Sequence, residues 1–86
     1  MLYVIGNLKM NMLSREEAVQ YQTVLKREIK DRSFHHVKGI LCPPFPYLYD
    51  FSGLPQGIEC GAQDVFWEKS GAYTGEVSPV MLKNAG

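Results

Sequence analysis

Asn7 and Lys9 stand two residues apart in the stretch "GNLKMN", directly after the apolar run "LYVI". In an extended chain, residues at i and i+2 face the same side. An amide donor and an ammonium converging from one strand end suit an anionic ligand. Taken alone, the pair has ordinary readings as well: Asn7 as a turn-forming amide and Lys9 as a solvated lysine closing a strand. The other chemistry-bearing residues are sparse. Cys42 and Cys60 lie 18 apart in different apolar runs, with no CxxC or Cys/His ligand spacing, so they read as buried free thiols and not as a zinc site. The adjacent His35 and His36 have no carboxylate or cysteine at matching spacing and read as exposed histidines, not metal ligands.

The elements that must position Asn7 and Lys9 can be read from pattern. "LYVIGN" reads as a short buried strand, rich in β-branched and aromatic residues. "SREEAVQYQTVLKREIKDR" reads as a helix. Ser14 is its N-cap, and Glu17 completes a capping box. Glu16 and Glu17 at the start and Lys26, Arg27 and Lys30 toward the end complement the helix dipole. Ala18, Tyr21, Val24 or Leu25, and Ile29 form its apolar stripe. "VKGILCPP" is a second strand stopped by prolines, and "FPYLYDFSGL" a short irregular helix with Pro46 near its start. "IECGAQDV" is a third strand. "SPVMLKNAG" is a helix with Ser78 as N-cap, Pro79 in its first position and Gly86 as its stop. Strands alternating with helices imply parallel strands joined by crossovers, an α/β fold. Three such strands leave two raw edges and an incompletely covered sheet, so the chain is expected to form part of something larger.

Bulk properties narrow the function classes. Eighty-six residues make one small domain at most, of marginal stability alone. Nine basic and nine acidic residues give no net charge, which argues against nucleic acid as a partner. An apolar fraction of 45% excludes a disordered tail. No apolar run reaches the roughly 18–20 residues that span a membrane. No signal peptide is visible, and a cytoplasmic location is expected by default.

Three motifs, in order, carry a resemblance: "GNLKMN" (Gly6 to Asn11), "CPPFPYL" (Cys42 to Leu48) and "GAQDVFWEKSGAYTGEVSPVMLKNAG". In the last, Ala62, Gln63 and Asp64 precede Gly71, Ala72, Tyr73, Thr74, Gly75 and Glu76, then Ser78 and Pro79. Over nearly its whole length the sequence resembles triosephosphate isomerase. The resemblance implies a (β/α)8 barrel, of which residues 1–86 correspond to about the first three strand-helix units, an incomplete domain. It assigns Asn7 and Lys9 to substrate binding. It also assigns Thr74, Gly75 and Glu76 to an intersubunit loop, which Phe66, Trp67 and Tyr73 make unusually apolar for one facing water. The implied reaction interconverts dihydroxyacetone phosphate and D-glyceraldehyde 3-phosphate through an enediolate, in glycolysis and gluconeogenesis. Triosephosphate isomerase is itself the standard example of its pairing of a carboxylate base with a neutral histidine. In the family both residues lie beyond the position of Gly86, as do the lid and the phosphate-binding loop.

No catalytic residue is therefore expected within the chain, nor any metal or cofactor, and the chain alone is expected to be inactive. The implied partners are a triose phosphate, the remainder of the barrel and a second subunit bound through the third loop, as a cytoplasmic homodimer. The alternative is a non-catalytic, self-associating module derived from that barrel. Leu8 replaces the family's usual tryptophan, and Asp64 stands where asparagine is commoner. Leu8 is expected to pack, and Asp64 to bring a charge whose partner the sequence does not reveal.

Overall fold

The computed structural model describes residues 1–30 and 35–86, so Asp31 and Arg32, the end of the helix reading, lie outside the described residues. The elements are β1 (Leu2–Asn7), α1 (Arg15–Ile29), β2 (Val37–Cys42), a 3-10 helix (Phe45–Phe51), β3 (Ile58–Cys60) and α2 (Pro79–Asn84). The strands form one parallel sheet in the order β1-β2-β3. Leu2 pairs with Val37, Asn7 with Cys42, and Leu41 with Cys60. This is an α/β arrangement with the strand direction and order of part of a (β/α)8 barrel. All three C-terminal strand ends therefore open onto one edge of the sheet. No helix among the described residues is long and apolar enough to cross a membrane.

Helix α1 begins where capping chemistry places it. The Ser14 hydroxyl accepts from the Glu17 N–H at 3.1 Å. The Glu17 carboxylate reaches back to the Leu13 N–H at 2.8 Å, one residue earlier than in a standard capping box. That extra residue ties the preceding loop to the helix. The inward stripe runs Ala18, Gln22, Leu25 and Ile29, the first two buried and the others half-buried. Tyr21, expected on that stripe, is exposed, and of the alternatives Val24 and Leu25 it is Leu25 that turns inward. The helix turns instead toward the 3-10 helix: the Gln22 side-chain N–H groups donate to the Asp50 carbonyl and, at 3.3 Å, to the Ala18 carbonyl. Arg15 Nε meets Asp50 Oδ1 at 2.7 Å. Between them lies Phe51, fully buried, with the Tyr21 ring 6.1 Å away. The segment after β2 winds as a 3-10 helix, with Pro46 in its first turn and Tyr47 N–H donating to the Pro44 carbonyl at 3.0 Å.

Helix α2 starts on Ser78, whose hydroxyl accepts from Met81 N–H at 3.1 Å, with Pro79 in the first turn and Gly86 at φ 103 just past its end.

Strand β1 departs from the sequence reading. Leu2, Tyr3, Val4 and Ile5 are each 56–64% exposed, although their composition is that of a buried strand. Alternation puts Tyr3 and Ile5 on one face and Leu2 and Val4 on the other, and neither face is covered. Cys42 is buried as expected, whereas Cys60 is half-buried. Because Leu41 is the register partner of Cys60, the two thiols fall on opposite faces of the sheet.

Next to Tyr3, the face that carries Ile5 and Asn7 also holds a cross-strand ion pair, Lys38 Nζ to Glu59 Oε1 at 2.8 Å. The hydrogen bond from Glu59, and then its charge, hold the Lys38 ammonium above its ordinary 10.5, against a smaller opposing effect of burial. A raised folded value means that this pairing contributes fully below pH 10.5 and is lost as the pH rises through the higher folded value.

Two outcomes are expected. Gln22→Met leaves the Asp50 carbonyl unpaired beneath α1 and should cost about 1–3 kcal/mol in urea unfolding. Gln20→Met on the exposed face should stay within about 0.5 kcal/mol. Equal effects of the two would contradict the assignment of Gln22 as the lock between the helices. In an NMR titration the Lys38 side chain should show its midpoint above 10.5 and return toward that value in Glu59→Gln. A midpoint insensitive to Glu59 would dismiss the ion pair.

Candidate functional site

The polar residues singled out in the first loop gather at the C-terminal edge of the sheet. Strand β1 ends at Asn7, and the Leu8 N–H continues the ladder by donating to the Cys42 carbonyl at 3.1 Å. Leu8 is half-buried, in keeping with a packing role. The chain then leaves the extended conformation. Lys9 has φ 59 and Met12 φ 76, both left-handed. The alternation expected to put Asn7 and Lys9 on one side therefore does not operate, because Lys9 lies beyond the strand. A hydrogen bond links the pair instead: Asn7 Oδ1 accepts from the Lys9 N–H at 2.8 Å, the side-chain mimic of a turn. A left-handed lysine costs about 1–2 kcal/mol relative to a right-handed one, so neighbouring contacts must hold it.

Those contacts are present on both sides of the loop. Asn11 Nδ2 donates to the Leu8 carbonyl at 2.8 Å, closing the turn from within. Gln63, just past β3, donates from one nitrogen to the Lys9 carbonyl and to the Cys42 carbonyl, each at 2.9 Å. Gln63 entered the sequence reading only as part of a motif. Its one signal there was a long amide placed where a strand leaves the sheet. The side chains of Asn7 and Lys9 remain exposed. With its oxygen committed to the Lys9 N–H, Asn7 is left with its amide hydrogens as the group to offer a ligand oxygen.

The third loop leaves the same edge. Asp64 has a plain local role: its carboxylate accepts from the Val65 N–H at 2.8 Å. Phe66 N–H donates to the Val77 carbonyl at 2.8 Å and closes the loop at its base. Above that base, Phe66 stacks on Trp67 with ring centroids 4.1 Å apart and meets Tyr73 at 4.6 Å. Gly71 permits this packing, since a Cβ there would lie 2.7 Å from the Tyr73 ring. The tip turns through Gly75, at φ 81, with Glu76 N–H donating to the Tyr73 carbonyl at 3.2 Å. Thr74, Gly75 and Glu76 are exposed, and Trp67 is 80% exposed.

Other candidates fall away from this edge. The His36 carbonyl accepts from Leu2 N–H at 2.8 Å, at the opposite, N-terminal edge. Burial, with a smaller contribution from Cys42, pushes the Cys60 thiol up, so it is a neutral thiol and a poor nucleophile near pH 7. No group of three or more His, Cys, Asp or Glu side chains among the described residues is placed to hold a metal ion. A hollow of about 470 Å³ bordered by Phe51, Leu54, Cys60 and Gly86 lies elsewhere. So does one of about 510 Å³ along α1, bordered by Met12, Tyr21 and Val24.

Comparison with known proteins places the sequence. A triosephosphate isomerase from Thermoanaerobacter sp. (strain X514) is 44% identical over 85 residues, covering 96% of this chain and 33% of that protein. One from Dictyoglomus thermophilum is 57% identical over 55 residues, covering 62% of this chain and 22% of the relative. One from Dehalococcoides mccartyi (strain CBDB1) is 38% identical over 84 residues, covering 95% and 32%. The chain thus spans about a third of the length of the curated relatives it matches. The sequence profile described as Triosephosphate isomerase matches residues 2–86. With three parallel strands in order and a match over almost every residue, the chain belongs to the triosephosphate isomerase family.

Proposed function

We propose that this chain supplies the first substrate-binding loop of a triosephosphate isomerase and works when further strand-helix units complete the barrel. The observation that carries the reading is the Asn7–Lys9 turn at the C-terminal edge of the sheet, where barrel enzymes place their chemistry. Lys9 offers a compact cation to a phosphorylated triose, and the Asn7 amide hydrogens a donor to the oxygen that gains charge in an enediolate. Proton transfer requires a base and an electrophile, and the nearby carboxylates do not supply them. Asp64 is engaged by its own neighbour, and Glu76 lies in the third loop. The histidine and glutamate then come from the remaining units, so the chain alone is inactive. The third loop, with Thr74, Gly75 and Glu76 at its tip and Trp67 exposed, reaches a second subunit in a homodimer. Cytoplasmic glycolysis or gluconeogenesis is the setting, with no cofactor, membrane or nucleic acid involved.

A second reading has its own support. The exposed apolar run of β1 and the open sheet edges fit a module that self-associates without catalysis.

The deciding experiment mixes the 86-residue chain with the portion of the Thermoanaerobacter relative that follows the matched third. The assembly should interconvert dihydroxyacetone phosphate and glyceraldehyde 3-phosphate. Lys9→Ala should lower kcat/KM by about 10²–10³, the usual cost of removing a charge-stabilising group. Stable association without activity would sink the isomerase reading. Native mass spectra showing only homo-oligomers that ignore the added polypeptide would favour the second.

A further inference from the structure

Gln63 joins three parts of the molecule through a single nitrogen. Its two Nε2 hydrogens are shared between the Lys9 carbonyl and the Cys42 carbonyl, both at 2.9 Å. Lys9 is the residue held left-handed at φ 59. Cys42 ends β2, and its carbonyl also receives the Leu8 N–H at 3.1 Å. Two side-chain ties within the first loop, Asn7 to Lys9 and Asn11 to Leu8, run between residues two and three apart and shape the turn, while the Leu8 N–H fixes its start to β2. Gln63 comes from 54 residues away and is the tie that fastens the turn to the far side of the sheet. The chemistry is restrictive. One atom reaches two carbonyl oxygens at once, which needs a group with at least two N–H hydrogens on that atom. Glutamate would present an anion to both carbonyls, asparagine falls one methylene short, and methionine donates nothing.

We infer that Gln63 is a positioning residue that sets the backbone of Lys9, and through it the place of the Lys9 ammonium relative to Asn7. The kinetic side of this inference rests on the proposed role of Lys9 in binding a triose phosphate; the conformational side does not. Its effect on catalysis runs through Lys9, without contact with the substrate.

The test uses the chain in assembly with the remaining barrel units, carrying Gln63→Glu or the uncharged Gln63→Met. Two readouts are taken: steady-state kinetics on dihydroxyacetone phosphate, and the intense amide-to-Hα cross-peak that a positive φ gives Lys9 in NMR spectra of the labelled 86-residue chain. Both variants should weaken that cross-peak while the contact between Leu2 and His36 at the far end of the sheet persists. Both should raise KM by about tenfold or more, as small displacements of a binding group do, with a smaller change in kcat. A Lys9 cross-peak and KM unchanged in Gln63→Met would overturn the proposal, as would a uniform loss of signal across the sheet in both variants. An inactive wild-type assembly whose Lys9 signal still responds to Gln63 would refute the isomerase reading and leave the positioning role standing.

Discussion

The carbonyl oxygen of Cys42 is the point on which the functional edge depends. It receives the last ladder hydrogen bond of β1, from Leu8, and one of the two bonds from Gln63 beyond β3. Parallel strands have no tight hairpins to bring their ends together, so the alignment of their C-terminal ends must come from register and from side chains that cross between strands. Here the register sets Asn7 opposite Cys42 and Leu41 opposite Cys60, and Gln63 closes the remaining gap. A carbonyl has two lone pairs, and both are spoken for. The left-handed turn at Lys9 is tolerated because it is built on this node.

The rest of the structure shows how little of the sheet is enclosed. A compact folded chain of this mass would expose about 5,100 Å². This one exposes 6634 Å². The excess, roughly 1,500 Å² on this one chain, is about twice what one partner buries in a standard protein–protein interface. Part of it lies where a parallel sheet should be dry, at Leu2 to Ile5 on β1, and Val19, Tyr21 and Val24 on α1 are exposed as well. One buried cluster, Ala18, Gln22 and Phe51, joins α1 to the 3-10 helix, and Cys42 and Pro43 are buried at the C-terminal end of β2. The helices lock to each other, while the exposed Asn7–Lys9 turn is tied by hydrogen bonds onto that buried strand end.

What could be read from the sequence divides between local chemistry and packing. Elements set by local chemistry were legible: Ser14 and Ser78 cap their helices, Pro46 and Pro79 sit in first turns, and β1 and β2 fall where β-branched runs lie, whereas β3 stops at Cys60, short of the run read through Val65. Features set by which face meets which neighbour were not. Tyr21 looked like core by spacing, but the inward stripe is rotated onto Gln22, because a polar partner, the Asp50 carbonyl, waits there. Strand β1 looked buried because its composition answers to surroundings that this chain does not supply. At the site, residue types pointed to Asn7 and Lys9, yet the reason offered for their convergence, strand alternation, was not the one that operates. A positive φ at a lysine leaves no mark in composition, and a bond spanning 54 residues leaves none in periodicity.

The proposed role of the Asn7–Lys9 turn asks for fixed geometry, and the structure shows where that geometry comes from. Everything that shapes the Asn7–Lys9 turn lies within residues 7–63: the Asn7 oxygen, the Asn11 amide, the Glu17 carboxylate on Leu13 and the Gln63 nitrogen. Three of these four groups are amides, which neither give nor take a proton near neutral pH, and the fourth, Glu17, is directed at the backbone of Leu13. A cation and an amide donor held in place in this way are preorganised, which is what electrostatic stabilisation of a developing charge requires. The third loop follows the same logic. Its aromatic cluster and its closure at Phe66–Val77 fix its shape from inside, leaving Thr74 and Glu76 exposed for whatever they meet. The edge is built to present groups outward, and its internal hydrogen bonds are the reason those groups keep their places before any partner arrives.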